Sequence, residues 1–94
     1  MNNHQTVGNY IQEFFAKNGK ISLLLEQQAA ELWAETVGEF IAKQTQKVVV
    51  KQGVLMATIP NAALRFEIIN RRSQIISKIN EKLGCEVIKG IIVK

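Results

Sequence analysis

Apolar positions recur along this chain at two periods, and the changes of period mark its elements. Val7, Tyr10, Ile11, Phe14 and Phe15 stand at i, i+3, i+4, i+7 and i+8, the stripe of a short amphipathic helix. Asn18-Gly19 comes next and predicts its end, because either residue takes the left-handed C-terminal position at low steric cost. Ser22 is placed to cap a second helical segment running to about Ala42, with Trp33, Val37, Phe40 and Ile41 on one face. Gly38 falls inside that segment, where glycine costs about 1 kcal/mol relative to alanine. Close packing against another backbone would account for it.

The period then shortens to two. Lys47–Lys51 (KVVVK) and Val54–Ile59 (VLMATI) are β-branched or apolar runs separated by Gln52-Gly53, which predicts a hairpin with a two-residue turn. Pro60 ends the second strand and Asn61 can cap a helix beginning at Ala62. Leu64, Ile68, Ile75 and Ile79 then return at helical spacing, predicting one long helix over Ala62–Leu83 that Gly84 terminates. Val87–Lys94 (VIKGIIVK) reads as a third strand, with Gly90 as a bulge. The fold class is therefore α+β, a three-stranded sheet backed by helices in the order α-α-β-β-α-β. A disordered tail over residues 1–6 is expected to precede a single domain over 7–94.

Composition narrows the function more by exclusion than by assignment. A chain of 94 residues, 47% apolar and 21% charged, supports one small domain with little room for an enclosed cavity. No apolar stretch approaches the roughly 20 residues of a membrane helix. The opening MNNHQT carries no secretory signal, and Cys85 is the sole cysteine, so a cytoplasmic, disulfide-free protein is expected. The only histidine is His4, and aspartate is absent. Ser22, Ser73 and Ser77 have no histidine base within reach of the pattern, so no Ser-His pair can be assembled. One cysteine and one histidine cannot build a structural zinc site. Gly19-Lys20-Ile21-Ser22 echoes a phosphate loop but lacks its earlier glycine and preceding strand. No enzyme activity, cofactor or metal is expected, and Cys85 reads as a small residue at a helix-to-strand junction.

Charge is uneven. The net charge is +4, yet up to Ala42 five glutamates outnumber two lysines, whereas from Lys43 onward ten cations face three glutamates. A polyanion partner for the basic half is the natural hypothesis. Its candidate contacts are Lys43, Lys47, Lys51, Arg65, Arg71 and Arg72. Lys47 and Lys51 share a strand face with Val49 by alternation, and with Lys43 they could line an edge that tracks phosphates. Arg65 and Arg72 fall inside the apolar arc of the long helix on a helical wheel, so each must snorkel, find a partner or await an anion. Glu31, Glu35 and Glu39, spaced by four, would share a helical face as an acidic stripe for docking a basic protein surface, or simply be solvated. Trp33 reads as a core anchor.

The ordered combination WAETVGEFIA (residues 33–42), KVVVKQGVLMATI (47–59), Leu64-Arg65-Phe66-Glu67, INEKLG (79–84) and VIKGIIVK (87–94) resembles the DciA family of bacterial proteins, long filed as a domain of unknown function. The resemblance implies a KH-like domain with affinity for single- and double-stranded DNA, and a role in loading the DnaB-type replicative helicase. It implies no membrane partner and no metal. The chain departs from the KH pattern in lacking any Gly-x-x-Gly, so the usual backbone clamp on nucleotides is missing. Two other readings stay open: a KH-like RNA-binding protein, and a protein-only adaptor that forms a homodimer through an exposed apolar sheet face.

Overall fold

The computed structural model describes residues 19–94. The tail and the helix expected over Val7–Phe15 lie outside the described residues. The chain builds seven elements there: α1 Gly19–Glu31, α2 Trp33–Val37, α3 Glu39–Gln44, β1 Lys47–Lys51, β2 Val54–Thr58, α4 Ala62–Leu83 and β3 Gly90–Val93. The α+β class, with a three-stranded sheet backed by helices, is the one the sequence predicts.

The hairpin forms where expected. Gln52 (φ 51°) and Gly53 (φ 80°) both take left-handed backbone, as a tight turn matched to strand twist requires. The sheet order is β1-β2-β3. β1 and β2 pair antiparallel from Lys47 opposite Thr58 to Lys51 opposite Val54. β2 and β3 pair parallel, a geometry that demands a crossover, and α4 supplies it. Asn61 caps α4 by accepting a hydrogen bond from the Leu64 N–H at 3.1 Å. Gly84 closes it at φ 78°, donating to Asn80 O. Leu64, Ile68, Ile75 and Ile79 are buried against Val50, Leu55, Ala57 and Ile59, with Ala29, Trp33, Val37 and Ile41 completing the core from the first three helices.

Departures concentrate before β1. Gly19 opens α1, so Ser22 lies inside that helix and is not a cap, while the helix end expected at Asn18-Gly19 concerns residues before the described ones. The expected single helix to Ala42 is broken at Gly38; at Leu32 the backbone stays right-handed (φ −78°, ψ −8°), with Leu32 N–H donating to Gln28 O and Thr36 N–H to Leu32 O. A Cβ at Gly38 would meet nothing within 4 Å, so close packing is not the reason for glycine. The reason is its φ of 95°, which L side chains rarely adopt. The break re-aims the apolar stripe: Ile41 is buried, while Phe40 is 68% exposed instead of sharing the Trp33 face.

At the other end, the strand expected from Val87 pairs regularly only from Gly90 to Val93, and at its start Lys89 N–H (2.7 Å) and Gly90 N–H (3.3 Å) both donate to Gly53 O, a bulge-like sharing of one acceptor. Val87 and Ile88 are buried but bonded to a side chain rather than to a strand. Asn80 Oδ1 accepts from Val87 N–H and Ile88 N–H at 3.0 Å each. Its Nδ2 donates to Ile88 O at 2.9 Å. One amide thus replaces a missing ladder.

Candidate nucleic-acid interface

Alternation in the strands sends Val48, Val50, Leu55, Ala57, Ile91 and Val93 toward the helices, where all six are buried or packed on the core. The intervening positions form the opposite, open face. The pairing arranges them in three cross-strand rows. One is Val49, Met56 and Ile92; another is Lys51, Val54 and Gly90. In the third, Lys47 lies opposite Thr58, and Lys94 continues the row because it donates to Ala57 O at 3.0 Å and accepts from Ile59 N–H at 2.8 Å.

The open face is thus an apolar stripe between rows that carry Lys47 and Lys94 on one side and Lys51 on the other. All three lysines are exposed, and none of the positions in these rows is acidic. Strand geometry separates Lys47 from Lys51 by about 13 Å and Lys47 from Lys94 by about 10 Å. Such a surface can follow a chain of phosphates. Among the described residues its rows offer no aromatic platform for stacking bases and no side-chain amide for reading their edges.

The six sequence-predicted cations do not converge. Lys47 and Lys51 share this face with Val49, as alternation requires. Lys43 is on α3, where it pairs with Glu39 at 3.0 Å, outside the strand rows that carry Lys47 and Lys51. Arg71 pairs with Glu67 at 3.2 Å on α4, in the layer behind the sheet. Arg65 is neither snorkelling freely nor paired with a carboxylate. Its Nη1 donates to Ile59 O at 2.6 Å and to Pro60 O at 2.9 Å, fastening the β2-to-α4 turn. Arg72 is exposed and makes no ion pair among the described residues. At the middle of α4 the core stripe skips a turn between Ile68 and Ile75, which leaves Arg72 at the rim rather than inside the apolar arc. Lys94 was missed. Alternation in GIIVK pairs it with Ile92, but only the parallel register tells which face that is.

The acidic stripe is also redistributed. Glu31 ends α1, Glu35 lies in α2 and Glu39 opens α3; helical backbone through Leu32 keeps Glu31 and Glu35 at i,i+4 spacing, whereas the break at Gly38 takes Glu39 off that face. Glu35 accepts from Lys82 Nζ at 2.6 Å, which ties α2 to α4, and Glu39 is held by Lys43. Glu31 is exposed. Trp33 is 2% exposed, and its indole N–H donates to Thr45 Oγ1 at 3.1 Å.

Sequence reasoning passed over one further carboxylate. Glu26 is buried and accepts from the Gly53 N–H at 3.1 Å, binding α1 to the hairpin turn from 27 residues away. No sequence period announces such a contact. Cys85 is half-buried, and that desolvation pushes its thiol pKa up, the opposite of an activated nucleophile. Among the described residues no cluster of three or more His, Cys, Asp or Glu side chains could hold a metal ion. Nor is any helix there long and apolar enough to cross a membrane.

A mixed three-stranded sheet covered by helices on one face defines a small KH-like α+β domain. No curated protein matches the chain. The family model described as "Dna[CI] antecedent, DciA" matches residues 6–93, and the chain belongs to the DciA family. Membership places it among DNA-replication-associated, non-enzymatic proteins.

Proposed function

We propose that this chain assists the loading of a DnaB-type replicative helicase onto DNA in the cytoplasm, and that it contacts DNA without sequence preference through the open face of its sheet. The observation that carries the DNA contact is the trio Lys47, Lys51 and Lys94 on a sheet face whose positions, among the described residues, carry no acidic side chain. Phosphate contacts of this kind position a protein on DNA but read no bases. The helicase link rests on family membership. Glu31, Glu35 and Glu39, opposite in charge to the phosphate contacts, are the proposed helicase-docking residues.

The test is a helicase-loading assay on single-stranded DNA coated with a competing binding protein, run with and without this chain. Faster unwinding, together with co-sedimentation of helicase and chain, supports the proposal. DNA affinity with no effect on the helicase refutes the loading role. A clear preference for RNA of the same sequence favours an RNA-binding protein instead. No affinity for either nucleic acid leaves a protein-only adaptor.

A further inference from the structure

Gly53 is buried although it lies in a hairpin turn, and its backbone groups are bonded to distant parts of the chain. Its N–H donates to Glu26 Oε2 on α1 at 3.1 Å. Its carbonyl accepts from Lys89 N–H at 2.7 Å and from Gly90 N–H at 3.3 Å. The turn is therefore fastened to α1 on one side and to the start of β3 on the other.

The shared acceptor bears on where the Lys89 side chain goes. Ile91 and Val93 turn toward the helices, and strict alternation would send Lys89 the same way. An unpaired ammonium buried there would be costly. A bulge-like irregularity frees a side chain from alternation, and Lys89 is exposed. Its Cγ and Cδ lie 3.6 Å from the point that a Cβ on Gly53 would occupy. The apolar stem thus rests beside the turn glycine, on the side where any other residue would carry a side chain, and leaves the charged end in water.

This position brings Lys89 to Lys51. Lys51 ends β1 immediately before the turn and pairs with Val54, which pairs in turn with Gly90, the residue after Lys89. Two strand spacings, about 10 Å, separate the outer members of such a row, a gap that two lysine side chains can close between them. Both lysines are exposed, and neither forms an ion pair among the described residues. Glu26, the carboxylate bonded to the turn, is buried and pairs with neither. Two like charges at one corner repel each other until an anion lies between them.

We propose that Lys51 and Lys89 form one phosphate-binding corner at the hairpin end of the sheet, with the DNA backbone as its ligand. The proposal rests on the reading that the open sheet face contacts DNA. It adds a binding residue outside the three rows and gives the strand a path, from Lys47 and Lys94 across the apolar stripe and out over the turn.

The unaltered chain provides the first test. Lysine acetylation by an N-hydroxysuccinimide ester is followed by mass spectrometry with and without saturating oligothymidylate. Modification of Lys51 and Lys89 should slow together, by at least about threefold, as expected for ammoniums held against phosphates. Lys78, exposed on α4, should react at an unchanged rate. Lys89→Met keeps the stem and removes the charge. In fluorescence anisotropy at low salt it should bind the same oligonucleotide roughly fivefold more weakly, and the slope of log affinity against log salt should flatten by about 0.7, the increment for one single-strand phosphate contact. Lys78→Met makes the same change in net charge and should leave that slope as it is.

Lys89→Met behaving like Lys78→Met, with Lys51 protected but not Lys89, would overturn the corner and leave the open-face reading standing. Protection of Lys51 and Lys89 without Lys47 and Lys94 would keep the corner and overturn the path across the face. No affinity for the oligonucleotide would overturn both. Should Lys89→Met fold poorly, the footprint on the unaltered chain decides by itself.

Discussion

The cations of the helices and the cations of the strands have different fates in this molecule. On the helices, Lys43 pairs with Glu39 and Arg71 with Glu67, both across i,i+4, while Lys82 reaches from α4 to Glu35. On the open sheet face, Lys47, Lys51 and Lys94 form no ion pair among the described residues. The cause is periodicity. A helix brings residues four apart together, and this sequence places glutamate at that distance from Lys43 and Arg71. A strand brings residues two apart to one face, and at that spacing the chain offers valine, methionine, threonine and isoleucine. Positive charge without an ion pair among the described residues therefore gathers on the open sheet face, with Arg72 and Lys78 on α4 as further exposed cations.

The sharpest way to break this comparison is charge reversal in each population. Lys47→Glu, Lys51→Glu and Lys94→Glu together should lower affinity for single-stranded DNA by roughly 100-fold at low salt. Neutralising Lys43, Arg71 and Lys82 to alanine should change it by no more than about threefold. With the three strand lysines changed to alanine, the slope of log affinity against log salt should flatten by about 2. Fluorescence anisotropy at several salt concentrations reads all of these. Similar losses for both sets would erase the distinction.

Next in size is Arg65, a helical cation spent on structure. Arg65→Met keeps the stem and removes the hydrogen bonds to Ile59 O and Pro60 O. Stability in urea should fall by about 1.5–3 kcal/mol, the range for hydrogen bonds to a charged group, while DNA affinity holds. The reverse outcome, intact stability with lost DNA binding, would move Arg65 into the binding population. Arg72→Met, by contrast, removes an exposed cation without an ion pair among the described residues, and its melting temperature should match that of the parent.

A smaller effect is expected on the acidic side. Glu31→Lys, Glu35→Lys and Glu39→Lys together remove the ion pairs with Lys82 and Lys43. Exposed pairs of this kind contribute about 0–1 kcal/mol each, so the fold should survive and DNA affinity should rise. Helicase co-sedimentation should weaken if these residues dock the helicase, and unchanged co-sedimentation would reduce them to solvated charges.

Smallest of all is the pH response of Cys85. Its folded-state pKa lies above the ordinary thiol value because burial disfavours the thiolate. The associated stabilisation is fully present below the unfolded-state pKa and is lost as pH rises through the folded-state value. Alkylation by iodoacetamide at mildly alkaline pH should consequently run slower in the folded chain than in the urea-unfolded chain. An equal or faster rate would contradict the desolvated position.

Features that depend on neighbours in the chain were legible from the residues alone. Gln52-Gly53 dictates its own turn through two left-handed residues, and Asn61 and Gly84 delimit α4 by capping bonds that span three or four residues. The identity of Lys47, Val49 and Lys51 as one face comes from strand geometry alone. Features that depend on distant partners emerged only when the chain was packed. Gly38 bends the backbone at φ 95° so that Ile41, not Phe40, meets the core, and no local pattern distinguishes that bend from a helical glycine. Glu26 closes on Gly53, and Asn80 on the backbone of Val87 and Ile88, through side chains that look merely polar in the sequence. Lys94 joins Lys47 and Lys51 only because β3 lies parallel to β2. A strand's alternation defines two faces, but the pairing register alone says which of them looks toward the helices and which toward water.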